Sequence, residues 1–142
     1  MSTEIIAKFT FDSWDEQEVL DAEGARIVRT TFVKTFLGDL EGTSRGEMVM
    51  AHAAQGSAAY TGYERVEGAM AGLSGSFILR HNAYIAGETV ESEVVVMTSS
   101  GTGGFSGLMG TASIDRHEDG SHTFTLAYEI DDDEKGEPTE AV

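Results

Sequence analysis

Two segments of the chain alternate apolar and polar residues with a regularity that only a half-buried β-strand accommodates. Near the start, Ile5, Ala7, Phe9 and Phe11 interleave with Glu4, Lys8 and Thr10. Near the end, His122, Phe124, Leu126, Tyr128 and Ile130 interleave with Ser121, Thr123, Thr125 and Glu129. Successive side chains of a strand leave on opposite faces, so a period of two puts one set inward and the other in water. Helical periodicity is scarce. The best candidate, Asp12–Gly24, is acidic with few apolar positions and reads as a long loop with room for one helical turn.

Further strands are expected near Arg26–Phe36, Arg45–Ala54, Ala58–Met70, Ser76–Tyr84, Glu88–Met97 and Thr111–Asp115, punctuated by Gly38, Gly56, Gly72, Gly87 and Gly120. Seventeen glycines against a single proline fit this division, because glycine is costly in helices and useful at turns, bulges and barrel bends. About eight strands joined mostly by short turns describe an all-β antiparallel barrel or sandwich. Residues 1–131 are expected to form that single domain, and the acidic end, residues 132–142, a disordered tail.

Composition removes several function classes. A net charge of −16 opposes phosphate-backbone binding and anionic membrane surfaces, so neither nucleic acid nor membrane is an expected partner. The absence of cysteine excludes disulfides, thiolate metal sites and a cysteine nucleophile. The start, "MSTEIIAKFTFDSW", lacks a basic region followed by an apolar core, and no run of about 18 apolar residues exists, so neither a signal peptide nor a membrane span is expected. A cytoplasmic location is the resulting expectation. The four histidines show no metal-ligand spacing, and no cofactor is implied. His117 and His122 bracket a turn and read as solvated. The glycine-rich "SGTGGFSGLMG", Ser100–Gly110, lacks the ending of a phosphate-binding loop and reads as a structural crossover. It echoes "MAGLSGSFI": Gly72 and Gly75 are spaced as Gly107 and Gly110 are, a turn solution used twice.

The chemistry concentrates in "YERVEGAMAGLSGSFILRH", Tyr63–His81. With Gly72-Leu73 at the centre of a hairpin turn, Glu64 faces His81, Val66 faces Leu79, Gly68 faces Phe77 and Tyr60 faces Ile85. That face is the more apolar one and should point inward. A lone buried carboxylate is expensive, so Glu64 needs a partner, and His81 is the natural one. Two readings follow. Glu64 and His81, with Tyr60, form a structural polar pair in a filled barrel, or they line an open pocket and bind a ligand's polar head or move protons. Met48 and Met50, alternating toward His52, suit either an adaptable pocket wall or ordinary core.

The segments "FDSWDEQ", "VKTFLGDLEGTSRGEMVMA", "YTGYERVEGAMAGLSGSFILRH", "SSGTGGFSGLMG" and the final "YEI" resemble the bacterial domain of unknown function 3224 family over most of the chain, about Ile5 to Ile130. The block from Gly62 to His81 is the most specific part. That family is similar in fold to allene oxide cyclase-like barrels, so the resemblance implies an eight-stranded antiparallel barrel, mostly meander and lipocalin-like in outline, and a homo-oligomer. It carries over no reaction, because shared fold is not shared function. The leading expectation is a barrel binding a small, mostly apolar ligand in its lumen, with Tyr60, Glu64, Phe77, His81, Met48 and Met50 as binding candidates. The alternatives are a cofactor-free isomerase or cyclase with Glu64 and His81 as proton-transfer groups, and an oligomeric module with a filled barrel.

Overall fold

The computed structural model describes residues 2–131; the expected acidic tail lies outside them. Among the described residues nine strands run in order: β1 Thr3–Ala22, β2 Ala25–Gly38, β3 Leu40–Ala53, β4 Ala58–Met70, β5 Leu73–Ala86, β6 Thr89–Val96, β7 Thr102–Gly103, β8 Leu108–Arg116 and β9 His122–Ile130. Each of β1 to β5 pairs with the next in antiparallel register, β5 pairs with β6, β6 with β8, β8 with β9, and β9 returns to β1. The result is a closed eight-stranded antiparallel barrel, a meander broken only by the excursion through the two-residue β7. No helix among the described residues is long and apolar enough to cross a membrane.

Alternation positions the interior as expected. Ile5, Ala7 and Phe9 of β1 and Phe124, Leu126 and Tyr128 of β9 are buried. They join Phe36, Leu40, Val66, Met70, Phe77, Leu79, Phe105 and Leu108 in one apolar cluster. The cluster fills one end of the barrel. There the glycine-rich crossover folds in, and Phe105, fully buried, meets Phe77 edge to face at 5.6 Å between ring centroids. Burying each such ring stabilises the fold by about 1.5–3 kcal/mol. The echo between the two glycine pairs is structural: Gly72 and Gly107 take positive φ at turns, and Gly75 and Gly110 each press against a neighbouring carbonyl, of Thr102 and Ala127.

The other end is open. β1 pairs with β9 only as far as Phe9, and β6 meets β8 only at Val94 and Val95, so the wall parts above both points. β1 and β2 continue past the gap as a long hairpin. Asp12–Ala22 is therefore strand, not the loop expected from its composition. Its residues are largely exposed on both faces, which removes the period that marks a half-buried strand. A bulge between Phe11 and Ser13 shifts the register of this hairpin. It brings Trp14 opposite Phe32 and so onto the inner face that Phe11 also serves.

The β4–β5 register differs from the expected one by two residues. The turn centres on Ala71-Gly72, both with positive φ (52° and 77°) as in a type I′ turn, rather than on Gly72-Leu73. Glu64 lies opposite Leu79, His81 opposite Gly62, Tyr60 opposite Ala83, Val66 opposite Phe77 and Gly68 opposite Gly75. A shift of two keeps every side chain on its face, so the inward set survives although the partners change. Phe77 therefore does not cover Gly68; the glycine covered by an aromatic ring is Gly46, where an added Cβ would collide with Phe32.

Candidate functional site

Where the packed end meets the open one, four polar side chains are buried together. Glu64 and His81 are each about 1% exposed. Being diagonal neighbours rather than direct opposites, they still meet, with His81 Nε2 2.9 Å from Glu64 Oε1. From β2, Lys34 Nζ donates to the same oxygen at 3.2 Å. From β3, Ser44 Oγ donates to Glu64 Oε2 at 2.5 Å. Lys34 occupies the inner row of β2 that also carries Val28, Thr30, Phe32 and Phe36, so strand pleat alone carries its side chain inward. Neither Lys34 nor Ser44 was expected at the site. The available signal was a lysine standing at period two between Phe32 and Phe36.

The electrostatics of the cluster follow from this geometry. Burial pushes the Glu64 carboxyl up, but the His81 hydrogen bond, the Lys34 charge and the Ser44 hydrogen bond together hold it below the usual carboxylate range. Burial lowers the Lys34 ammonium, against the opposing charge and hydrogen bond of Glu64. The ammonium also lies over the Phe9 ring, 4.2 Å from its centroid, with Phe32 at 5.1 Å and Phe11 at 5.4 Å. Such contacts are worth about 2 kcal/mol when desolvated. An ionised carboxylate can only accept, so His81 Nε2 carries the proton in that hydrogen bond. His81 Nδ1 is buried with no hydrogen-bond partner among the described residues.

Above the cluster lies a cavity of about 190 Å³. Lys34 and His81 reach it from below, and Phe11, Trp14 and Phe32 wall one side. Met48, Met50 and Tyr60, three of the expected binding residues, line it as well. Glu64 sits beneath, acting through Lys34 and His81. Phe77 does not belong to the site; it is fully buried in the apolar end against Phe105. His122 corrects the solvated reading, since it stacks on Phe9 at 5.1 Å and lines the same cavity. Burial first, then Arg116 and Lys34, lower its titration. Burial raises that of Tyr60. His117 is exposed, with Nε2 2.9 Å from the Thr123 hydroxyl. A larger hollow of about 710 Å³ lies outside the barrel among Val49, Thr61, Tyr84 and Glu93, side chains of the outward face, and it touches none of the buried cluster. No group of three metal-ligating side chains occurs among the described residues.

A family model described as "Protein of unknown function (DUF3224)" matches residues 5–128. Among solved structures, a protein of unknown function from the DUF3224 family of Shewanella oneidensis MR-1 superposes with a TM-score of 0.85. The two are 30% identical, and the match covers 92% of this chain and 99% of that one. No protein with a curated description matches.

Proposed function

The chain belongs to the DUF3224 family, and from the site that this member carries we propose that it binds a small, mostly apolar molecule in the mouth of its barrel. One observation carries the reading: the aromatic-walled cavity of about 190 Å³ ends on a buried lysine and histidine that share one carboxylate oxygen. A buried ion pair is often no more stabilising than apolar residues of the same volume, so a fold gains little stability by keeping one. At the floor of a cavity it supplies orientation and specificity instead. The size suits a single ring, since an apolar cavity of roughly 150 Å³ takes benzene. Kinship with allene oxide cyclase-like barrels is proposed on the fold outline alone and carries no reaction with it.

Trp14 is the only tryptophan of the chain and stands in the cavity wall, so its emission reports occupancy directly. Titration with toluene is expected to give a saturable change in Trp14 emission. Ile114→Phe, which fills the cavity from β8, is expected to abolish it. A response that never saturates, or one indifferent to that substitution, contradicts the proposal.

A second reading, a cofactor-free isomerase, is favoured by the pairing of His81 with Glu64 beside the cavity, a histidine held by a carboxylate as proton-transfer sites hold one. Exchange of the α-hydrogens of cyclohexanone for deuterium in heavy water, faster with the native protein than with His81→Phe, would favour it. Equal rates would return the site to binding alone.

A further inference from the structure

The middle of the outward face of β2 to β6 departs from the acidic character of the chain. Four of the nine basic residues stand there, Arg29, Arg45, Arg65 and Arg80, beside Glu47, Glu67, Glu91 and Glu93. The face is therefore locally neutral although the whole chain carries −16. Val49, Tyr63 and Tyr84 are exposed on it, Tyr63 to 59%. Tyrosine and arginine are residues that protein interfaces concentrate. On so acidic a molecule, a neutral patch is also where a second copy can approach without repulsion.

The strand register gives this face a symmetry about β4. In one row across the sheet, Arg29 of β2 and Glu93 of β6 flank Thr61, each two strands away. In the next row, Glu47 of β3 and Arg80 of β5 flank Tyr63 directly. In a third, Ala51 and Tyr84 flank Ala59. A two-fold rotation about an axis along β4 exchanges the members of each pair. Two copies related by it lie sheet on sheet, about 10 Å apart, with every arginine of a pair over a glutamate. The same rotation puts Tyr84 of each copy over Ala51 of the other, where the hollow of about 710 Å³ is floored by small residues.

The ion pairs within one chain are halves of a larger arrangement. Arg29 Nε lies 3.7 Å from Glu47 Oε1, and Arg80 Nη2 lies 3.8 Å from Glu93 Oε1. All four side chains are about half exposed, so each pair alone contributes little. The rotation sets Glu47 against Arg80 of the second copy and Arg29 against its Glu93. Each chain's loose pair then closes with the other's into a ring of four alternating charges, the network case in which surface ion pairs do contribute. One row further along β4, Arg65 falls on the axis, and its own Glu67 neutralises it at 2.9 Å. We infer that this face joins two copies of the chain in an isologous dimer whose two-fold axis runs along β4.

Sedimentation velocity of the full chain tests this with two charge reversals. The native chain is expected to be a reversible dimer. Glu47→Arg sets like charges against each other at both symmetric contacts, and so does Arg80→Glu. Each variant alone is expected to associate about tenfold more weakly or worse. Mixed one to one, the two variants restore opposite charges at both contacts, so a heterodimer tighter than either homodimer is expected. A chain that had merely misfolded could not be rescued in this way. Glu4→Arg, the same change of charge on β1, should leave the dimer intact. A native monomer at millimolar concentration leaves the face to a partner of other chemistry and overturns the inference. So does a dimer indifferent to both reversals, or a pair of weakened variants that mixing fails to restore.

Discussion

The barrel has two halves built from the same alternation but finished differently. At the closed end, the inward residues Ile5, Leu40, Met70, Phe77 and Leu108, joined by Phe105 of the crossover, pack into one apolar cluster. At the mouth, the same strands supply Phe11, Phe32, Lys34, Met50, Tyr60 and His81 around a cavity. Trp14 and Phe11 at the rim remain 43% and 38% exposed. The difference teaches that a barrel of eight strands is near the width at which side chains either fill it or leave space for one small molecule. Here the wall parts above Phe9 and Val94, and the buried cluster of Glu64, Lys34, His81 and Ser44 marks the boundary.

The sharpest way to break this comparison is at the boundary itself. Glu64→Ala leaves Lys34 buried without its counter-charge, and removing one partner of a buried pair typically costs about 3–5 kcal/mol. Urea unfolding is expected to show a loss of that size. The pH dependence has a definite sign. The native Glu64 carboxyl is held below the unfolded chain's value of about 4.3. Its stabilisation is therefore present at neutral pH and is lost as pH falls from that value through the depressed native one. Glu64→Gln, whatever its stability at neutral pH, is expected to lose this part of the acid limb. An unchanged limb would mean that the carboxylate is not held as the geometry implies.

Next in size is Phe105→Ala at the closed end. Truncating a fully buried phenylalanine costs about 3–5 kcal/mol through lost transfer and the cavity left behind. Toluene affinity at the mouth should change little, because Phe105 does not line the cavity. The reverse dissociation is expected of Phe11→Ala. A ring that remains 38% exposed contributes about 1–2 kcal/mol to folding, yet its loss should weaken toluene binding severalfold. If instead Phe105→Ala abolished binding and Phe11→Ala left it intact, the division into a packed half and a binding half would be wrong.

Strands whose two faces see different surroundings were legible in the sequence, and β9 is the plain case: its alternating residues are buried and half-exposed in turn. The outer half of β1 was not legible, because Asp12–Ala22 projects beyond the closed wall and has no single buried face to impose a period. The meeting of Glu64 and His81 survived a mistaken register only because the error was an even number of residues. That error arose at Ala71, an alanine in the left-handed region where glycine is the usual signal. Lys34 escaped notice for a different reason. A lysine in a strand is normally read as outward, and the acidic partner that offsets the cost of burying this one lies on β4, 30 positions away. Trp14 was equally hidden, since only the bulge after Phe11 turns it toward the cavity.

The claim that one half of the barrel is open to ligands and the other is not can be tested in a crystal soaked with iodobenzene, whose iodine is located by its anomalous scattering. The expected result is a single strong peak inside the barrel, at the mouth between Phe32 and Met50. A peak among Phe77, Phe105 and Leu108, or no peak within the barrel at all, would contradict the account.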